Sequence, residues 1–270
     1  MAIIASGEPV QNSITESSIT RPLRLRVIAC NVFWRELCWC AARSPNLLDI
    51  EFTELGEHAQ PQCLRDQLQE RIAVAEKTGK NYDAILLAFG LCGNATVGLR
   101  AMQTPLILPR AHDCATLLLG SRAAFKDNFA DNPSRGFSSS GYLERGDYFL
   151  SSDESGTRVH AGDVYATYVE QYGEENARYL MDTLHAAHAD GDDGRALFIE
   201  TAETRSAAAL ERFREKAGAA GRTVQVLQGN LRLIRMLLDG EWTDEEFLTV
   251  QAGQAIAGIY DWDRIVKAVS

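Results

Sequence analysis

The sequence has no apolar run near the roughly 20 residues that a membrane-spanning helix needs, so no spanning segment is expected. It is short of positive charge: 27 Lys and Arg stand against 37 Asp and Glu, a net charge of −10. Such a surface repels phosphates and anionic lipid, which argues against nucleic acid and membrane surfaces as partners. Met1 to Pro9 has no basic stretch and only a four-residue apolar run, so it does not read as a secretion signal, and the expected location is the cytoplasm. Six cysteines in such a protein are not expected to form a disulfide framework. The chain has no Cys-x-x-Cys pair, no Gly-x-Gly-x-x-Gly fingerprint and no short-period repeat, which removes the paired-thiol zinc motif, the dinucleotide loop and the solenoid folds. What remains is a chain of 270 residues with 46% hydrophobic residues, long enough to bury one large core or two lobes.

Its pattern alternates strands with helices. Leu23–Cys30 reads as a buried strand, 32–42 as a helix, Leu47–Leu55 as a second strand. Pro61 opens a helix whose Leu64, Leu68, Ile72 and Ala75 fall on one face, with Gly79 past its end. Tyr82–Phe89 is a continuous apolar run, as a central parallel strand requires. Pro105–Leu108 is a short fourth strand, followed by a helix over 115–125. Further on come a helix over 174–189, a strand at 196–200, a helix at 206–217, a strand at 223–227, a helix at 231–238 and a short strand at 247–250. The expected fold is α/β: two Rossmann-like lobes with mostly parallel sheets and helices on both faces. The expected division is a polar tail at 1–22, an N-terminal lobe at 23–126, a connecting segment or lid at 127–163 rich in Ser, Gly, Asp and Asn, and a C-terminal lobe at 164–270.

Open α/β sheets bind ligands beyond the carboxyl ends of their strands. Cys30 ends the first expected strand, Cys92 follows the third, and His112 and Cys114 follow the fourth. Thiolate and imidazole together suit zinc, iron or an iron–sulfur cluster rather than magnesium or calcium. In an extended loop His112 and Cys114, two apart, point to the same side. Cys38 and Cys40 sit on a helix, where two residues are roughly 200° apart, so they are read as packing; Cys63, in a first helical turn, is read as structural. Any single buried cysteine is a small hydrophobe. Three at strand ends with a histidine beside one point to a shared site. Gly90, Gly93 and Asn94 flank Cys92 and are candidates to receive a cofactor or anion, with a plain tight turn as the alternative. Arg110 is a candidate to hold a carboxylate or phosphate, Asp113 to orient a ligating imidazole, and Glu36 to act as general acid or base, against the simpler reading of each as a surface charge. His58, ahead of a helix start, is a weaker candidate for the same cleft, and His185 and His188, one turn apart, read as surface residues.

These residues resemble an uncharacterised family of bacterial and archaeal proteins, a domain of unknown function. The likeness rests on Gly90-Leu91-Cys92-Gly93-Asn94 after Asp83–Leu87, and on Leu108-Pro109-Arg110-Ala111-His112-Asp113-Cys114 followed by Leu117–Arg122. It extends to Cys30 with Arg35-Glu36, His58 before Pro61, Tyr172–Ala177, and Gly240-Glu241-Trp242 before Phe247-Leu248. After Tyr148-Phe149-Leu150 that family tends to carry a Gly-Trp pair, where this chain has Ser151–Glu154. Members stand beside corrinoid-dependent methyltransferase genes, which implies one-carbon or methyl-transfer metabolism and a corrinoid protein as partner.

Three functions stay open. In the first, zinc on Cys30, Cys92 and Cys114, with or without His112, activates a substrate thiol for methyl transfer at an open coordination position for a small-molecule thiol or methyl donor; if all four bind and no position opens, the site is structural. In the second, the three cysteines hold a [4Fe-4S] cluster with one open iron, His112 acts as acid or base, and the protein is a lyase or desulfurising enzyme. In the third, the chain is an accessory protein that binds a metal or corrinoid-related ligand. A homodimer is compatible with all three.

Overall fold

The computed structural model describes residues 21–54, 61–132, 135–150, 174, 193–259 and 261–270. Two mostly parallel sheets meet at one shared core. The first has five strands in the order β2-β1-β3-β4-β8: β1 (Arg24–Cys30), β2 (Leu47–Thr53), β3 (Ala84–Ala88), β4 (Leu106–Pro109) and β8 (Phe247–Val250). All its pairings are parallel except the one between β4 and β8. The second sheet is β5 (Phe137–Ser139), β6 (Arg195–Glu200) and β7 (Thr223–Gln228), in that order and parallel throughout. A hairpin of β9 (Ala255–Gly258) and β10 (Val266–Val269) follows. No helix among the described residues is long and apolar enough to cross a membrane.

The α/β class and the predominance of parallel pairing follow from the strand–helix alternation. Successive side chains of a strand face opposite ways, and the first sheet uses this to bury both faces. Leu25, Val27 and Ala29 face a core with Leu37 of α1 (Trp34–Ala41) and Leu233, Ile234 and Leu237 of α7 (Arg232–Asp239). Ile28 faces the other way, against Leu64, Leu68 and Ile72 of α2 (Pro61–Lys77). Every residue of β3 is buried, as its uninterrupted apolar run requires, and it lies between β1 and β4. The core that includes α1 and α7 also takes Phe137, Leu197, Ile199 and Leu227 from the second sheet. The far face of that sheet packs Phe198 against Phe213 of α6 (Ala207–Ala219).

Four expectations change. The helix over 115–125 is two helices, α3 (Cys114–Leu119) and α4 (Arg122–Phe129): Gly120 closes the first in the left-handed region, and Ser121 caps the second through its hydroxyl. Within the stretch read as a connection or lid, 137–139 form β5 and 140–145 form α5 (Ser140–Arg145). A strand of three residues with one apolar member, Phe137, gives too short a signal, so the first strand of the second sheet reads as loop. The stretch 164–270 is not one lobe, because α7 and β8 pack on or in the first sheet. The β9–β10 hairpin is an addition. The tail before residue 21, the segment 151–163, most of the helix over 174–189, and His58, His185 and His188 lie outside the described residues.

Candidate functional site

The first sheet brings the three cysteines together from three strand ends. Cys30 is the last residue of β1, and Cys92 lies in the loop after β3. Cys114 opens α3 beyond β4. The two loops are laced by their backbones: Leu91 N–H donates to the Ala111 carbonyl at 2.8 Å and Cys92 N–H to the His112 carbonyl at 3.0 Å. Gly90 is needed there for space, since a Cβ would come within 2.7 Å of the Asp113 backbone. Cys92, Gly93 and Asn94 run consecutively at φ 48°, 61° and 72°. A non-glycine residue in that region costs of order 1 kcal/mol, and such strain gathers at functional sites. Cys92 is half-buried there.

The thiols act on one another. Burial pushes Cys92 well above the ordinary thiol range, with the charges of Asp113 and Cys30 adding to it. Cys114 is pushed up by burial and then by Asp113, Cys92 and Cys30, while a hydrogen bond with Tyr142 pulls the other way. These two are therefore neutral thiols in the protein alone, and a bound cation is the agent that reverses this. Among the described residues no group of three or more His, Cys, Asp or Glu side chains is gathered so as to hold a metal ion as it stands.

Tyr142 is the residue sequence reasoning missed. It comes from α5 of the second sheet, is 3% exposed, and sets its phenol 2.8 Å from the Cys114 sulfur. Burial, then the neighbouring Cys114 and Cys30, pushes that phenol far up, so it stays protonated. Its place in a stretch dominated by Ser, Gly and Asp left only the aromatic run 147–150 as a signal.

His112 does not join the thiols. Its ring stacks on Phe125 at 5.4 Å and meets the edge of Trp262 at 5.3 Å, and burial lowers its pKa. The backbone between His112 and Cys114 is extended at Asp113, with φ −155° and ψ −170°, yet the imidazole is taken up by the Phe125 and Trp262 rings. Asp113 caps α3, accepting from Ala115 N–H at 3.0 Å and Thr116 N–H at 3.3 Å, so the backbone turns into helix at Cys114. Asp113 is therefore a helix cap rather than an imidazole partner, and burial raises it to about 6.

Arg110 is not poised for a ligand. It is 4% exposed, and its guanidinium donates to the carbonyls of Asp244, Arg264 and Val266 and to the Asp244 carboxylate. It fastens the C-terminal hairpin to the end of β4. Gly93 and Asn94 are exposed, and the Asn94 carbonyl accepts from Arg65. Of the cysteines read as structural, Cys40 is buried in the core and its thiol is pushed up to about 12 by burial. Cys38 and Cys63 are exposed rather than packed.

Glu36 is 4% exposed on α1 and accepts a 2.6 Å hydrogen bond from Thr204, which follows β6. Its Oε2 is buried without a hydrogen-bond partner. It bridges the two sheets and stands among Thr204, Arg35 and Glu144, with burial the leading cause of its raised pKa. A carboxyl raised in the fold supports stability fully below its unfolded pKa and loses that support as pH rises through the folded value. Glu36→Gln is therefore expected to flatten the profile. As pH rises above the ordinary glutamate range the wild type loses stability relative to the variant, read as urea midpoints at each pH. Parallel profiles would show that Glu36 is ionised without cost.

A family model described as "Protein of unknown function (DUF1638)" matches residues 52–238. The chain belongs to that family. The match takes in Cys92, Arg110, His112, Cys114 and Tyr142, and leaves Cys30, Glu36 and the β8–β10 region outside it. No curated protein and no solved structure matches the chain.

Proposed function

We propose that this DUF1638 chain is a metal-dependent enzyme of one-carbon or sulfur chemistry, a transferase whose metal centre is held by Cys30, Cys92 and Cys114. The observation that carries the reading is that three strand ends of one sheet place three thiols at its carboxyl edge, with Cys92 N–H tied to the His112 carbonyl two residues before Cys114. Three sulfurs leave a tetrahedral ion one open position, which is the pattern of catalytic rather than structural zinc. An ion there supplies Lewis acidity that turns a substrate thiol into thiolate for methyl transfer. The chain's own part is to hold the sulfurs, to exclude water through the buried β5–α5 turn, and to present the position at the junction of two sheets. His112 is left out of the ligand set because its ring belongs to the Phe125 and Trp262 cluster. Arg110 and Glu36 have structural partners and take no catalytic role here.

A [4Fe-4S] cluster on the same cysteines is the second reading, and one observation favours it. As they stand the sulfurs are not gathered around a single point. A cluster spaces its cysteines more widely than one ion does, so it asks less movement of them. The substrate in either case is a small molecule, a thiol or methyl donor. A corrinoid protein as partner and a cytoplasmic location rest on the resemblance and on composition.

The test is metal retention in protein purified without air. Cys92→Ala and Cys114→Ala are each expected to lose the bound zinc or iron, and exposed Cys38→Ala to keep it. Equal retention by all three variants would remove the thiol set from the account.

A further inference from the structure

We propose that the cleft between α1, α5 and the loop from β6 to α6 is a second binding site, for a small zwitterion with an apolar body, of the α-amino acid class. It lies beyond the carboxyl ends of β5 and β6, where an open α/β sheet places its ligands, and its residues are outside the thiol site. It does not depend on the metal reading. The cleft has a volume of about 370 Å³, within the range of small-molecule sites.

Two indoles form part of its wall. Trp34 and Trp39 of α1 are 39% and 38% exposed, a large area for residues that are usually well buried. Both rings are held in place. Trp34 meets the Phe52 ring at 4.5 Å and the Arg145 guanidinium at 4.1 Å, and Arg43 covers Trp39 at 3.6 Å. Fixed aromatic surface of this kind receives an apolar ligand body. Charges of both signs stand beside it. Glu144 is already bound, gripped by Arg35 through two bonds of 2.7 and 2.9 Å and by the Ser206 hydroxyl at 2.9 Å. Arg145 and Glu203 also line the cleft, both exposed, and neither has an ion-pair partner among the described residues. Arg145 is therefore placed to meet a ligand anion and Glu203 a ligand cation.

Thr204 carries the cleft to a buried polar chain. It is 7% exposed, lines the cleft, and donates to Glu36 Oε1 at 2.6 Å. Its one hydroxyl proton is used there, so in its contact with the Thr201 hydroxyl it accepts. What Thr204 has left is a lone pair, which calls for a donor such as an ammonium. Behind it, Glu36 Oε2 is buried without a hydrogen bond, and a positive charge in the cleft favours the ionised form of that carboxyl. Aromatic wall, guanidinium and acceptor oxygens together fit a molecule that carries an anion and an ammonium at once.

The experiment adds L-phenylalanine, L-leucine and L-methionine in turn to the full chain and follows tryptophan emission and the heat of binding. At least one is expected to bind and to shift the emission, since two of the four tryptophans line the cleft. The matching acid without the amine and the matching amine without the carboxylate (phenylpropionate and phenethylamine for phenylalanine) are expected to bind about 10-fold more weakly, each lacking one charge-assisted bond. Arg145→Gln and Glu203→Gln are each expected to weaken the amino acid by about the same factor, and both side chains are exposed, so the fold is retained. Arg214→Gln, which removes an exposed charge of α6 outside the cleft, is expected to bind as the wild type does. An acid or amine that binds as tightly as the amino acid overturns the inference, as does unchanged affinity in either cleft variant or no binding by any of the three amino acids. Metal content does not enter these readouts, so their failure leaves the thiol centre standing.

Discussion

Gly141→Ala is expected to destabilise the protein by about 3 kcal/mol or more and to unseat Tyr142 from Cys114. An added Cβ would lie 1.8 Å from the Val32 carbonyl oxygen, 2.7 Å from its carbon and 3.0 Å from its Cα. All three atoms are backbone, so no side chain can swing aside to make room. The requirement is for space and not for an unusual dihedral, since Gly141 is not among the positive-φ residues. The 3₁₀ turn Asn31–Phe33 or helix α5 must move, and each carries a part of the site: Cys30 precedes the turn and Tyr142 follows Gly141. Two readouts separate a local from a global effect. Urea unfolding gives the stability loss, and alkylation of native, metal-free protein reports on Cys114, which is expected to react faster once the α5 turn lifts away. A variant with wild-type stability and unchanged Cys114 reactivity would mean that the two sheets do not meet at this turn.

Arg110→Ala is expected to cost about 3 kcal/mol, since a buried acceptor deprived of its donor costs about 1–3 kcal/mol. The main-chain carbonyls of Asp244, Arg264 and Val266 each lose a donor at once, Arg264 keeping one from Val266 N–H, and little water can reach a side chain that is 4% exposed. The Asp244 carboxylate adds little, being largely exposed and also paired with Arg264 at 2.8 Å. The loss is local in origin. Amide exchange is expected to speed up over 244–269 before it does in β1 or β3. A change below about 0.5 kcal/mol would leave Arg110 available for a ligand after all.

The two outcomes bear on what the sequence made legible. The run 84–88 is uniformly apolar and therefore reads as a central parallel strand, and it is one. Leu64, Leu68 and Ile72 keep a helical interval and bury one face of α2. From strand ends alone, Cys30, Cys92 and Cys114 separate from Cys38, Cys40 and Cys63, because position on a parallel sheet follows from strand order. Side-chain direction does not. His112 stacks on Phe125 and meets Trp262, ring contacts distant in the chain that a two-residue spacing cannot convey. Arg110 stands in a motif rich in functional residue types, yet its partners lie more than 130 positions away, ahead of β8 and in a hairpin with no strong strand pattern. Tyr142 was hidden for a related reason. The strand before it is three residues long, and what makes Tyr142 part of the site is the meeting of two sheets.

The most direct test of the thiol centre is to purify the wild type without air and measure zinc, iron and acid-labile sulfide per chain, with X-ray absorption at whichever metal is found. About one zinc without sulfide, bound by three sulfurs and one lighter donor, is the result expected for a single ion. Iron with sulfide is the result expected for the cluster on the same three cysteines. Protein that stays reduced, folded and free of both metals would contradict the account.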